Sequence, residues 1–214
     1  MPITNGRQRA LAALGVSLAT AAAVSLAAAA PALADTADGT GTAAITFSTA
    51  YLTHLARAGV IVIADSPASS SATSGSDAFT FPVTGGNGTD TDFTGIVTLG
   101  GALTFIDAST GKTVRLTKLA LNYFSGDITA VPAGTTKAIN LASPSGALST
   151  SNSAGPPSTE TFASSDLDLA NRGATYLDNH LKADQHRARR LFATNADISN
   201  NGAAFTITYA ATYS

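Results

Sequence analysis

Two tyrosine–histidine pairs are the residues of this chain whose types and spacing could support chemistry. Tyr51 and His54 stand three positions apart, and Tyr176 and His180 stand four positions apart. On a helix, side chains at these spacings lie close together on one face. A phenolate oxygen can ligate ferric haem iron, and a neighbouring imidazole can form a hydrogen bond with that oxygen. The alternative for each pair is an ordinary amphipathic helix with a half-buried tyrosine and a solvated histidine, which needs no ligand.

The composition excludes several classes of function. The 214 residues include no cysteine, which excludes disulfides, thiolate nucleophiles, iron–sulfur clusters and cysteine-ligated zinc. Charged residues make up 12% of the chain and the formal net charge is −2, so we expect no binding to nucleic acid. The sequence has no Gly-x-Ser-x-Gly motif, which marks the nucleophile of many hydrolases. We therefore expect a binding or structural module and not an enzyme.

The N-terminal segment has the pattern of a signal peptide. Arg7 and Arg9 precede an uncharged, alanine-rich run over residues 10–30, and Ala32-Leu33-Ala34 provides a small–x–small cleavage site. A transmembrane anchor is the alternative, because the run approaches the length of about 20 residues that spans a bilayer. We expect residues 1–34 to be removed. The mature protein would then be secreted and extracellular, with no transmembrane span.

The remainder of the chain has the pattern of one mainly β domain. Short runs of alternating apolar and polar residues recur at intervals of roughly 8–12 residues with glycine-rich turns between them, which is typical of antiparallel sheets. We expect residues 44–214 to form a single α+β domain, an antiparallel β-sandwich-like fold with one short and one longer flanking helix. Residues 35–43 are expected to be flexible, as are loops near 66–77 and 143–159, which are rich in Ser, Gly and Pro.

Capping patterns place the two helices. Ser48 or Thr49 can cap a short helix that carries Tyr51, and Gly59 is a suitable residue to end it. The longer helix is predicted from about Tyr176 to Phe192, since Thr175-x-x-Asp178 resembles a capping box.

The order of these segments resembles the haem-transport-associated (HtaA) domain of actinobacterial secreted and envelope proteins. Each matching motif is short, and their order along most of residues 44–214 carries the resemblance. The motifs are the helix Tyr51 to Gly59 with its following strand, Phe81-Pro82-Val83-Thr84-Gly85-Gly86, Gly95-Ile96-Val97, Gly100-Gly101 with Leu103-Thr104-Phe105, and Leu167-Asp168-Leu169.

The resemblance implies a mainly β, extracellular or envelope-attached module that in some members binds haem through a tyrosine with a nearby histidine. It implies Tyr51 as the haem ligand and His54 as its hydrogen-bond partner. Tyr176 and His180 are a second candidate pair on the ground of their helical spacing alone. Members often carry a histidine just before the Gly-Gly pair, where this chain has Thr98 and Leu99. The alternative is a structural or interaction module of the cell envelope without a cofactor. The expected partner is therefore haem or an envelope component, and the oligomeric state is open.

The signal-peptide interpretation predicts a defined N-terminus for the exported protein. The intact mass of the secreted form should correspond to a chain that begins at Asp35, because cleavage follows Ala34. Mass spectrometry of the culture medium and of the membrane fraction measures both forms. Recovery of the uncleaved chain in the membrane fraction would contradict the interpretation.

Overall fold

A computed structural model describes residues 39–73, 76–86, 95–146, 148–153, 158–181, 191–192, 198 and 205–211. The predicted signal peptide lies outside these residues. Residues 36–214 form one compact unit. None of the helices in the described ranges has both the length and the apolar character needed to cross a membrane.

The described residues form thirteen strands and two helices. In chain order these are β1 (Gly39–Ser48), α1 (Thr49–Arg57), β2 (Val60–Asp65), β3 (Ser69–Thr73), β4 (Ser76–Gly86), β5 (Ile96–Leu99), β6 (Ala102–Asp107), β7 (Lys112–Asn122), β8 (Ile128–Pro132), β9 (Ile139–Pro144), β10 (Leu148–Ser153), β11 (Ser158–Ser164), β12 (Leu167–Leu169), α2 (Asn171–Leu181) and β13 (Phe205–Ala211). The mainly β, α+β class expected from the sequence is confirmed.

The strands pair antiparallel in one curled sheet. Its main path runs β10-β11-β13-β1-β4-β5-β7-β8-β9-β12, while β3 pairs with β4, and β6 pairs with both β2 and β7. β13 lies between β11 and β1, so the residue Ala211 is opposite both Ser158 and Gly39. The first and last strands of the domain are therefore neighbours.

A bulge lets β4 pair with different strands along its length. Its first residues pair with β1 and β3, and its last residues pair with β5 after a register shift between Val83 and Gly85. Gly86 follows with φ of 134°, and a Cβ there would collide with the backbone of Ile96 and Val97. Glycine is required at this corner because any side chain would force β4 and β5 apart.

α1 begins and ends as the capping pattern predicts. The Ser48 hydroxyl accepts a hydrogen bond from the backbone N–H of Tyr51 at 3.1 Å, and Gly59 follows the helix with φ of 83°. Tyr51 and Leu55 are buried on its inner face. The cap therefore fixes the start of α1 and with it the direction of Tyr51.

Three segments predicted to be flexible contain strands instead. β1 begins at Gly39, so it includes residues 39–43. The segment 66–77 contains β3 and the start of β4, and the segment 143–159 contains β10 and the start of β11. Ser- and Thr-rich strands show little apolar alternation, and here backbone pairing with neighbouring strands holds them in the sheet.

β2 has only one buried face. The run Val60-Ile61-Val62-Ile63 has the composition of a strand covered on both faces, yet Ile61 is 48% exposed and Ile63 is 40% exposed. Val60 is buried and Val62 is partly buried. The strand therefore alternates, with one face on the core and one face in solvent.

α2 begins five residues before its predicted start. Asn171 and Gly173 are poor helix formers, which made this turn look like a loop. Gly173 is needed because α2 lies directly on β9: a Cβ there would be 2.7 Å from the Leu141 carbonyl oxygen. Thr175 is thus inside the helix, where its hydroxyl donates to Asn171 Oδ1 at 3.2 Å, and the proposed capping box is wrong. Residues 182–190 lie outside the described residues, and Phe192 is not helical.

The close contact between α2 and β9 predicts a stability defect in Gly173→Ala. The added Cβ must displace the helix or the strand, so the free energy of unfolding should fall by about 1–3 kcal/mol. Urea unfolding followed by circular dichroism measures the change. Arg172→Ala is the matched control, because this exposed neighbour should alter stability by no more than about 0.5 kcal/mol. Equal stability of Gly173→Ala and the wild type would contradict the packing described.

Candidate functional site

One face of α2 carries a series of polar side chains. The residues follow the spacing of successive helical turns, and they are Arg172, Thr175, Tyr176, Asn179 and His180. The opposite face, formed by Gly173, Ala174, Leu177 and Leu181, is buried. Burial of the apolar face against the sheet fixes the rotation of the helix and leaves the polar face outward.

A surface groove runs between this polar face and the chain that enters β9. The facing wall is formed by Lys137, Ala138 and Ile139, and Asn171 lies at the start of the helix. The space is about 380 Å³ and open to solvent. This volume falls within the range of about 300–1,000 Å³ found for small-molecule sites. We call this site the α2 groove.

The second predicted pair, Tyr176 and His180, comes together in the α2 groove. The two rings stack with their centroids 3.8 Å apart and their planes at 16°. His180 Nδ1 is 2.8 Å from the Tyr176 carbonyl oxygen. A carbonyl oxygen only accepts, so Nδ1 carries the proton and donates it. In the neutral ring, Nε2 then has a free lone pair, the state in which histidine ligates metals.

The charges on the groove are all positive. Lys137 and Arg172 come from its two walls, and no carboxylate is present among the described lining residues. Neither cation forms an ion pair with a described carboxylate. Both side chains are exposed, so their charges are available to a ligand at little desolvation cost.

In the first predicted pair, Tyr51 and His54, one side chain is buried and the other is exposed to solvent. Tyr51 is 9% exposed and points into the core, whereas His54 is exposed on α1. With 3.6 residues per turn, side chains three positions apart on a helix point in directions that differ by about 60° around its axis. In α1 this difference is enough to place Tyr51 in the core and His54 in solvent. Among the described residues the Tyr51 hydroxyl has no hydrogen-bond partner.

Tyr51 lies against a small apolar cavity. The cavity measures about 10 Å³, room for about one water molecule. Its lining residues are apolar except for the tyrosine, and they are Ile45, Phe47, Tyr51, Leu103, Phe105, Ile128, Leu141, Ala142, Leu167, Leu169 and Ile198. Burial raises the pKa of the Tyr51 phenol well above its ordinary value of 10.0, and the charge of Asp178 raises that pKa further. The phenol is therefore held in its protonated form.

Backbone hydrogen bonds fix Ile198 against this cavity. Its N–H donates to the Leu167 carbonyl at 3.0 Å, and its carbonyl accepts from the Ser48 N–H at 2.9 Å. Phe192 packs nearby, with its ring 5.9 Å from that of Phe105 and its N–H donating to Asp178 Oδ1 at 3.0 Å. Ile198 is thus bonded both to the N-cap residue of α1 and to β12.

The positions before the Gly-Gly pair have other roles. The Thr98 hydroxyl donates to the Gly85 carbonyl at 2.9 Å across the β4–β5 pair, and Leu99 is buried in the core. Both side chains therefore serve the packing of the sheet, and neither has the imidazole that would ligate a metal.

Sequence reasoning missed Lys137 and Arg172. Because α2 was predicted to start at Tyr176, Arg172 lay outside the predicted helix. Its spacing of four residues to Tyr176 therefore did not indicate a shared helical face. Lys137 is distant in sequence and joins the groove only through the packing of α2 on β9. A helix prediction extended to Asn171 would have placed Arg172 on the same face as the tyrosine–histidine pair.

Comparison with known proteins gives distant structural likenesses. No family model matches the chain, and no curated protein matches it. The C-terminal domain of HtaA from Corynebacterium glutamicum is similar at a TM-score of 0.48 with 13% identity, over 80% of this chain and 97% of that one. The heme binding protein HtaB from the same organism is similar at a TM-score of 0.41 with 13% identity, over 80% and 93% of the two chains. Both TM-scores are below 0.5, so we draw nothing about function from them.

The orphaned hydroxyl of Tyr51 predicts that Tyr51→Phe stabilises the protein. Removal of a buried hydroxyl without a partner should raise the free energy of unfolding by about 1 kcal/mol at neutral pH. The advantage should grow above about pH 10, because the wild type alone must keep this phenol protonated in the folded state while the unfolded chain ionises it. Urea unfolding at a series of pH values measures both effects.

Tyr51→Ala is the control for the ring itself. It removes the ring along with the hydroxyl and should cost about 3–5 kcal/mol, as large-to-small core substitutions do. A Phe variant that is less stable than the wild type would show that the hydroxyl has a partner. A difference in stability that does not change with pH would show that the pKa of the phenol is not raised in the folded state.

Proposed function

We propose that this chain is an extracytoplasmic binding module and not an enzyme, and that its ligand is haem, bound in the α2 groove. One observation carries the proposal. His180 Nδ1 donates a hydrogen bond to the Tyr176 carbonyl, which leaves the lone pair of Nε2 available to ligate a metal. The imidazole stacks on the Tyr176 phenol in a groove that is open to solvent.

The groove residues fit the chemical needs of haem. Ferric haem iron takes an imidazole nitrogen or a phenolate oxygen as an axial ligand. His180 would provide Nε2, and its bond to the Tyr176 carbonyl would fix the orientation of the ring. Ala138 and Ile139 provide an apolar wall for the porphyrin edge. Tyr176 supports the imidazole by stacking and offers an oxygen as the alternative ligand.

The Tyr51 cavity fits the same ligand less well. Its space of about 10 Å³ is far below the smallest pockets that hold organic ligands, about 300 Å³. Ile198, which lines this cavity, is held there by its hydrogen bonds with Ser48 and Leu167. The role that the resemblance implies for Tyr51 and His54 stays a prediction, and the experiment below tests it beside the α2 groove.

Export from the cytoplasm is the second part of the proposal. It is supported by the signal-peptide pattern of residues 1–34. A binding module outside the cell would meet haem as a free ligand or on another protein. An open groove, in which a ligand is only partly covered, suits transfer in either direction.

A cofactor-free interaction module is the second candidate, and one observation favours it. Ile61 and Ile63 both project from the solvent face of β2 with 48% and 40% of their surfaces exposed. Neighbouring exposed apolar side chains on one strand are a common feature of protein-binding surfaces. This candidate predicts no specific haem binding.

Titration of the secreted protein with haemin tests the proposal. We expect a saturable Soret shift with a stoichiometry of one. His180→Ala should weaken binding by about tenfold or more, since it removes the ligating nitrogen, and Tyr176→Phe should change the spectrum or affinity if the phenol oxygen contributes. His54→Ala is the matched control, because this exposed histidine lies on α1 away from the groove.

Tyr51→Phe separates the two candidate sites. It should leave haemin binding unchanged if the α2 groove is the site. Loss of the Soret shift in Tyr51→Phe with full binding by His180→Ala would move the site to the cavity under α1. A wild-type titration identical to that of an unrelated protein would reject haem binding and leave the interaction module.

A further inference from the structure

Lys137 and Arg172 give the α2 groove a second recognition element, separate from its possible iron ligands. Arg172 lies in the first turn of α2, and Lys137 lies in the chain before β9, so the two cations come from the two walls of the groove. The described lining residues include no acid that could neutralise them. Among the described lining residues, an anionic group in the groove would therefore meet two positive charges and no negative one.

The two side chains differ in a way that suits a pair of anionic groups. A guanidinium presents a flat array of N–H donors that matches a carboxylate with two parallel hydrogen bonds, and an ammonium acts as a compact point charge. Both are exposed and have no described ion-pair partner, so a ligand need not break an existing pair. Each can take one carboxylate from a ligand that lies between the walls.

The rest of the groove suits a flat organic body. Ala138 and Ile139 are apolar, and the Tyr176–His180 stack adds two parallel rings. Thr175 and Asn179 are neutral polar residues on the helical face between Arg172 and His180. A ligand with an apolar planar body and acidic substituents at its edge meets each of these surfaces with the matching chemistry.

We propose that Lys137 and Arg172 make the α2 groove selective for planar ligands that carry a pair of carboxylates, and that it takes such ligands with or without a metal. This inference rests on the proposed function for the identity of the planar body, since haem carries two propionates. It goes further in assigning recognition to the carboxylates, so that the iron strengthens binding and is not required for it.

Three probes separate carboxylate recognition from iron ligation. Haemin has iron and two carboxylates, metal-free protoporphyrin has the carboxylates alone, and haemin dimethyl ester has iron without the charges. The wild-type protein should bind haemin best, should still bind the metal-free porphyrin, and should bind the ester about tenfold or more weakly than haemin. Quenching of porphyrin fluorescence and the Soret band report the binding.

Charge-removing variants assign the effect to the two residues. Lys137→Gln and Arg172→Gln should each weaken binding of haemin and of metal-free porphyrin by about tenfold. Neither variant should further weaken binding of the ester, because the group that each cation would contact is already neutral. Arg57→Gln, an exposed arginine on α1, is the matched control and should bind all three probes as the wild type does.

The outcomes separate this inference from the proposed function. Equal binding of haemin and its ester, or unchanged porphyrin binding by both Gln variants, would overturn carboxylate recognition while haem binding stands. Binding of metal-free porphyrin that depends on both cations, with no effect of His180→Ala on haemin, would support carboxylate recognition and overturn iron ligation by His180. Displacement of the porphyrin by inorganic phosphate at a similar affinity would show a general anion site and overturn the selectivity. Absence of binding by all three probes would overturn both.

Discussion

The close contact between Gly173 and the backbone of Leu141 determines where α2 lies, and the candidate site depends on that position. Because no Cβ separates them, the helix rests directly on β9 and buries Ala174, Leu177 and Leu181 against the sheet. The polar face is then forced outward next to the chain that enters β9. A larger residue at position 173 would move the helix away from Lys137 and change the width of the groove. The glycine at position 173 therefore determines the position of α2 and the width of the α2 groove.

The two tyrosine–histidine pairs show that similar residue pairs on helices acquire different chemistry from their surroundings. Tyr51 lies in an apolar core where burial and the charge of Asp178 both raise the pKa of its phenol, which opposes the phenolate that iron prefers. Tyr176 lies at the edge of an open groove with a histidine stacked on its ring. Burial makes Tyr51 part of the core, where its ring packs against Phe47. Exposure leaves the Tyr176 pair accessible to a ligand.

Much of the fold could be predicted because it depends on local patterns. Apolar alternation with glycine-rich turns indicated a mainly β, antiparallel chain, and the capping residues Ser48 and Gly59 placed α1 correctly. The Ser-rich strands could not be found in this way, because their stability comes from neighbours distant in sequence and not from burial of their own side chains. The start of α2 was missed because Gly173 lowers helix propensity, and only the tertiary contact shows why glycine is there. The candidate pair Tyr176 and His180 could be found from its spacing because both residues lie on one helix. Lys137 could not, because it comes near them only through the packing of α2 on β9.

The position of β13 between β1 and β11 has a consequence for how the chain acquires its structure. Of the described strands, the one formed by residues 205–211 is synthesised last, yet it joins β1 to the hairpin of β10 and β11. Until it arrives, β1 and β11 each present an open edge of unpaired backbone groups, which favours pairing with other chains. Local hairpins such as β6–β7 can form early, but closure between β1 and β11 must wait until residues 205–211 have been synthesised. Such a topology keeps two strand edges open until the last of the described strands takes its place between them.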